Sequence, residues 1–441
     1  MLKDYFVDNQ LDRRQPLYAV IVLILIIGIG IFTLNEAVNL PVFLIAGLAI
    51  GYVFTRARFG FAGGLKQLFY AGNSQLAIAL LILLGATAFL TTGIQWQAAS
   101  QGAVPAYLAT AKQTIIPGSA SVELTNIGTV LGGALFGSGM LLAGGCASGT
   151  LTDFGEGEGH AIIALPFFIL GSPLGLWLSG KLDNSAIGQV GGSFYLPQYF
   201  GYLGSFVFLL VFLIVLYLVI RAYQNHRQNV GLSNTEQNDY TSFEKPLSDA
   251  TAPVALYHRL FIQRWSFTTT ALLTAIIAAF IIITTGNSWG VTSAFSLQGS
   301  QLLHLLGVPL TDPVFAKVNL QISQGGFLAD GSSIRNLGIV LGSLVAFLLA
   351  GRFKFKFNFH FKDSATYALG GLFMGVGARL AKGCNIGALY SGITNYSVHG
   401  YIFLIFLVVG SAVTLSVLEG KLVLFPKRQV AKAIRLKAVG A

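Results

Sequence analysis

Only two cysteines occur in the 441 residues, Cys146 and Cys384, and they lie in matching surroundings. Residues 132–151 read GGALFGSGMLLAGGCASGTL and residues 370–389 read GGLFMGVGARLAKGCNIGAL. Aligned without a gap, ten of the twenty positions are identical, and the cysteines coincide. Two randomly placed cysteines would rarely do this. Gly145 and Gly149 flank the first thiol and Gly383 and Gly387 the second, supplying the backbone freedom for a helix break. A thiol at such a break lies beside free backbone N–H groups and can hydrogen-bond an anion. Asn385 follows the second cysteine, and Arg379 and Lys382 precede it, giving that copy an electropositive setting. Leu141 and Gly144 hold the corresponding places in the first copy, which is followed instead by Asp153, Glu156, Glu158 and His160. That asymmetry would help to release an anion on the acidic side, but the three carboxylates read first as a solvated loop. His160, His304 and His399, near segment ends, read as interfacial residues, and Trp96 and Trp289 as interface anchors.

Other chemistries find no residues to carry them. The chain has no nucleophile elbow, Walker loop, dinucleotide fingerprint or HExxH, and no Cys/His grouping has zinc-site spacing. An enzyme, a primary pump, a cofactor and a metal are therefore not expected.

The elements around the cysteines must be membrane helices. Apolar residues make up 54% of the chain and charged residues only 10%, with a mean hydropathy of +0.70; a soluble domain carries roughly 25% charged residues. Apolar stretches of spanning length fall at 17–34, 40–55, 75–92, 124–145, 161–180, 202–220, 268–285, 337–350, 367–381 and 401–418, ten in all. Those ending at Gly145 and Ala381 are Gly-rich, so broken or re-entrant helices fit them as well as regular spans. The stretch 17–34 has no cleavage pattern after it and reads as a retained anchor.

The net charge of +10 sits in short segments and argues for membrane orientation, not nucleic acid. Twenty-one of the 27 Lys and Arg residues occupy the N-terminal arm, the loop 56–66, the segment 221–264, the loop 352–362 and the tail after Leu418. Placing all five on the cytoplasmic side conflicts with none of the ten spans and leaves 95–123 and 287–333 outside. Both termini are then cytoplasmic. Three parts follow: a first membrane half (1–221), a polar cytoplasmic linker (222–264) containing NTEQND, and a second half (265–441). In this topology the segment ending at Cys146 runs inward and the one ending at Cys384 outward, so the repeats are expected to be inverted and to meet near the bilayer midplane. Gly128xxxGly132, Gly133xxxGly137 and Gly371xxxGly375 would allow close helix contact. The fold class is an all-α integral membrane protein of about ten transmembrane or re-entrant segments in two halves.

At these residues the chain resembles the YeeE/YedE family of sulfur-transport membrane proteins, whose hallmark is a Gly-rich helix ending in a GC motif. The resemblance rests on LFGSGMLLAGGCASG, on YALGGLFMGVGARLAKGCNIGALYSGI and, more weakly, on GYVFTRARFGFAGGLKQLFYAG, and covers roughly 40–180 and 281–410. It implies bacterial inner-membrane uptake of thiosulfate or a related small sulfur-containing anion, passed between cysteines by S–H to sulfur hydrogen bonds, with Cys146 and Cys384 in that role. It also implies a cytoplasmic sulfur-carrier protein as a partner, while the Gly-rich faces would permit a homodimer. One departure stands out. Many relatives carry a further cysteine in an Arg-x-x-x-Cys-Phe pattern, and here RARFGF places Gly60 in that position. A three-cysteine relay cannot operate unchanged, which raises another sulfur or selenium species as the alternative cargo. A membrane thiol or persulfide enzyme and a passive channel are the competing readings from other classes.

Overall fold

A computed structural model describes residue 6 and residues 11–37, 39–230, 244–247, 252–357 and 359–417, which form helices and connecting turns with no strand among them. Helices α1 (Gln15–Glu36) and α2 (Leu40–Ala57) lead into a short α3 (Phe61–Lys66) that continues as a π-helical turn (Gln67–Ala71). Then come α4 (Gln75–Ser100), α5 (Ile127–Leu142), α6 (Ala147–Glu156), α7 (Gly159–Asp183) and α8 (Pro197–Asn229). The second half holds α9 (Ala252–Tyr257), α10 (Phe267–Thr285), α11 (Thr292–Leu305), α12 (Ala316–Ser323), α13 (Gly331–Leu349) and α14 (Phe361–Leu380). A π-helical segment (Asn385–Tyr390) runs into α15 (Ser391–Thr394), and α16 (Val398–Val417) closes the described chain. Lys3, the NTEQND stretch and the basic tail after Leu418 lie outside the described residues. Helix α8 runs past the boundary expected at 221/222, and residues 252–262 of the expected linker are helical.

Nine helical stretches among the described residues are long and apolar enough to span a membrane, against ten expected from the sequence. The tenth is α14. Its 20 residues include Lys362, Asp363 and Arg379, and its buried second half, from Gly370 on, packs between α5 and α7. Helix α1, by contrast, exposes Leu17, Ile21, Ile24 and Ile27, as a lipid-facing helix does.

The cysteine-bearing segments break where the glycines predict. Asn126 caps α5 by accepting from the Gly128 amide at 2.9 Å while Thr129 Oγ1 accepts from the Asn126 amide at 3.3 Å, a capping box. The helix ends at Ala143, Gly144 turns left-handed at φ 86°, and α6 restarts after an extended Cys146. In the second copy α14 ends at Leu380, Lys382 takes the left-handed turn at φ 54°, and the helix resumes after an extended Cys384.

Glycine governs how the two broken helices pack. A Cβ at Gly132 would lie 2.5 Å from the Ala381 nitrogen, and one at Gly370 would lie 2.4 Å from the Ala143 nitrogen. The contacts are reciprocal. Likewise Gly133 and Gly137 of α5 receive α16 at Phe403 and Leu407, while Gly371 and Gly375 of α14 receive α7 at Ala164 and Phe168. Where these helices meet, Phe136, Phe168, Phe295 and Phe403 form a chain of fully buried rings with centroids 4.7–6.3 Å apart.

The charged segments sort onto two faces. Gln15 and Phe353 exchange two hydrogen bonds at 2.8 Å, and Glu244 pairs with both Arg58 and Arg352, so the described parts of the N-terminal arm, the linker and the two basic loops share one face. The Lys/Arg-poor segments meet elsewhere, through the Gly118 amide on the Gly286 carbonyl and Asn395 on Ser288. Helix α6 ends on the basic face, where Glu158 pairs with Lys356, whereas the segment 385–394 ends beside Asn395 on the other.

Candidate functional site

Two half-helices begin at cysteines. The Cys146 carbonyl accepts from the Thr150 amide at 2.7 Å and the Cys384 carbonyl from the Ala388 amide at 2.7 Å, so each cysteine is the residue from which the new helix starts. The Cys384 sulfur is reached by the backbone N–H groups of Ile386 and Gly387, and Cys146 Sγ lies 3.4 Å from Ser148 Oγ. Both thiols are free and buried, at 1% and 0% exposure, within one contiguous core, and their half-helices touch.

A cavity of about 980 Å³ opens on the basic face and reaches Cys146. Gly60, Gly144, Gly145 and Gly149 line its floor, where bare backbone leaves room; a Cβ at Gly60 would touch nothing within 4 Å. Its lining also carries Arg58, Arg352, Lys354 and Lys356 together with Asp153, Glu156, Glu158 and His160. The acidic cluster is therefore not the solvated loop read from sequence. Asp153 and Glu156 belong to α6, the helix that Cys146 starts, and Asp153 pairs with His160 at 3.1 Å. The basic residues, read from sequence only as topology signals, turn out to line the way to a thiol. Their placement was hidden because it depends on two loops almost 300 positions apart in the chain meeting, which no local pattern encodes.

The surroundings of Cys384 differ. Arg379 donates to Ser296 Oγ at 3.1 Å, and its Nε has no hydrogen-bond partner among the described residues. Lys382 is held at 2.8 Å by Asp183, which also accepts from Asn126 at 3.0 Å. Both side chains act electrostatically on Glu123 in the loop before α5; burial pushes that carboxyl up, and Lys382, Arg379 and Lys317 only partly oppose the shift. Asn385, 1% exposed, donates to Met140 Sδ at 3.4 Å, and its Oδ1 has no partner among the described residues. Neither Arg379, Lys382, Asn385, Gly383 nor Gly387 lines the cavity that reaches Cys146.

Two sequence readings are overturned. Trp289 is not an interface anchor: it is 2% exposed, wedged between Phe54 and Tyr390. His399 is not interfacial either but fully buried, its ring 6.5 Å from that of Phe403. Both sit at helix ends in the chain, yet those ends are roofed by other segments. Trp96 is 56% exposed and keeps the anchor reading.

The chain matches the model of the sulphur transport family from residue 56 to residue 413, a stretch that contains both cysteines, the basic loops and the cavity floor. The protein belongs to the sulphur transport family. Among its relatives is the thiosulfate transporter TsuA of Escherichia coli, 28% identical over 387 residues, covering 83% of this chain and 91% of that one. The thiosulfate transporter TsuA of Spirochaeta thermophila is 26% identical over 305 residues, covering 65% of this chain and 76% of its own. The probable transporter YedE of Escherichia coli matches a shorter stretch, 31% identical over 154 residues, or 35% of this chain and 38% of its own. As a member of this family the protein is a multi-pass membrane protein, consistent with the nine long apolar helical stretches among the described residues.

Proposed function

We propose that the protein takes up thiosulfate or a closely related small sulfur-containing anion across the bacterial inner membrane, moving its substrate without transforming it, along a path that includes Cys146 and Cys384. The observation that carries this reading is the placement of both thiols at half-helix starts in adjoining elements, with an open cavity leading to one of them. A half-helix start offers unpaired N–H groups and a partial positive charge, and a thiol adds a weak S–H donor suited to a sulfur acceptor. An anion can be stabilised there without a full counter-charge, which would bind it too tightly to release. In this reading the two halves are inverted repeats, the basic face is cytoplasmic, and both termini lie on that side. The reciprocal glycine contacts and the opposite directions of the two broken helices support it. The two relatives named as thiosulfate transporters favour thiosulfate as cargo, whereas Gly60 in the cavity lining favours a chain that manages with two thiols.

The test is uptake of labelled thiosulfate into proteoliposomes containing wild type, Cys146→Ala or Cys384→Ala. Each substitution should abolish uptake while the protein still elutes as a folded species. Undiminished uptake by both variants would remove the cysteines from the path, and no uptake by wild type would shift the cargo to another sulfur or selenium anion.

A further inference from the structure

Between Gly351 and α14 the chain reads RFKFKFNFH, and residues 352–357 belong to no helix or turn. Alternate side chains there meet different surroundings, as they do along a strand. Lys354 and Lys356 line the cavity that leads to Cys146. Phe355, Phe357 and Phe359 do not, and are 60%, 64% and 45% exposed. Their rings form a ladder from Phe353, with centroids 4.9, 5.3 and 5.9 Å apart. Phe361, at 90% exposure, extends the series.

The ribbon is fixed in place. The Lys356 amide donates to the Gly157 carbonyl at 3.0 Å, and a Cβ at Gly159 would lie 2.4 Å from the Lys356 carbonyl oxygen. Gly157 and Gly159 form the turn that ends the half-helix started by Cys146. At one end, Phe353 exchanges two hydrogen bonds with Gln15, the first residue of the lipid-facing α1. At the other, Phe361 is the first residue of α14. The ribbon therefore runs level with the starts of α1 and α14, the depth at which the start of a lipid-facing helix such as α1 is expected to meet the membrane surface.

Phenyl rings in a row at that depth are poorly placed in water and well placed at the headgroup–acyl boundary, where the Trp, Phe and Leu side chains of interfacial segments bury. We propose that the Phe355–Phe357–Phe359 ladder inserts into the lipid interface and that this bilayer contact holds the cavity rim, keeping Lys354 and Lys356 turned to the water-filled mouth. The occupant of the ladder is lipid, and the surface is independent of which anion the protein carries.

Spin-label accessibility tests the proposal in proteoliposomes of phosphatidylcholine and phosphatidylglycerol. In a background of Cys146→Ser with Cys384→Ser, a nitroxide is attached at Phe355→Cys, Phe357→Cys or Lys354→Cys. Labels at 355 and 357 should relax several-fold more with oxygen, which concentrates in lipid, than with a water-soluble nickel chelate, and the label at 354 should show the reverse. A water-like pattern at both 355 and 357 would overturn the insertion. Protection of those two labels from both reagents would overturn it equally, by pointing to a second copy or another protein on the ladder. Two labelled positions on the same face guard against one variant that does not fold.

Discussion

At the level of single residues, the flanking glycines of the two thiols divide by what surrounds them. A Cβ at Gly383 would sit 2.5 Å from the Ala388 nitrogen and 2.9 Å from the Gly387 carbonyl carbon, all backbone that cannot step aside, whereas one at Gly387 would meet nothing within 4 Å. Gly383→Ala should therefore cost about 1–3 kcal/mol, as overpacking does, and lower both the melting temperature and uptake, while Gly387→Ala leaves the melting temperature unchanged. Equal melting temperatures for the two variants would contradict the close approach. The repeat made the thiols and their glycines legible in the sequence, because identity across two copies needs no knowledge of the fold. Arg58, Arg352 and Lys354 were visible only as charge. Their position around a cavity follows from tertiary contacts between distant loops, and Lys382, read as free positive potential, is engaged by Asp183 through a turn whose left-handed backbone no residue type announces.

Helices α5, α14, α7 and α16 approach one another through glycine, and at this scale their backbones, not their side chains, set the spacing. Small residues let membrane helices come close where no hydrophobic effect drives them together. A Cβ at Gly410 would be 2.0 Å from the Ala134 carbonyl oxygen and one at Gly137 would be 2.2 Å from that of Leu407. Gly410→Leu should force α16 away from α5, seen as a lower melting temperature and loss of a single elution peak in detergent. Gly28→Leu on the lipid-facing α1, where a Cβ meets nothing within 4 Å, serves as the control and should change neither. An unaffected Gly410→Leu protein would count against glycine-set packing. The GxxxG spacings announced these contacts, and the apolar runs announced most of the spans. Helix α14 was harder to delimit because its polar first turn and Arg379 interrupt the apolar run; burial between α5 and α7 supplies what its own sequence does not.

For the molecule as a whole, one ionic node joins the two halves. Glu244, from the segment between them, pairs with Arg352 at 2.5 Å and Arg58 at 3.3 Å, each from a different half. Burial alone would raise its carboxyl, but Arg352 and Arg58, helped by the hydrogen bond from Arg352, outweigh that and hold it below the usual range. A carboxylate lowered in this way stabilises the fold above its unfolded pKa of about 4.3, and the contribution disappears as pH falls through the folded value. The stability gap between wild type and Glu244→Gln should be full at neutral pH and close as the pH drops below that point. A gap that stays constant into acid would show that the charge of Glu244 is not what matters. The chain of buried rings from Phe136 through Phe168 to Phe295 has a consequence of another kind. Where they meet the interior is apolar, and an ion placed among the rings would give up its hydration with nothing there to replace it.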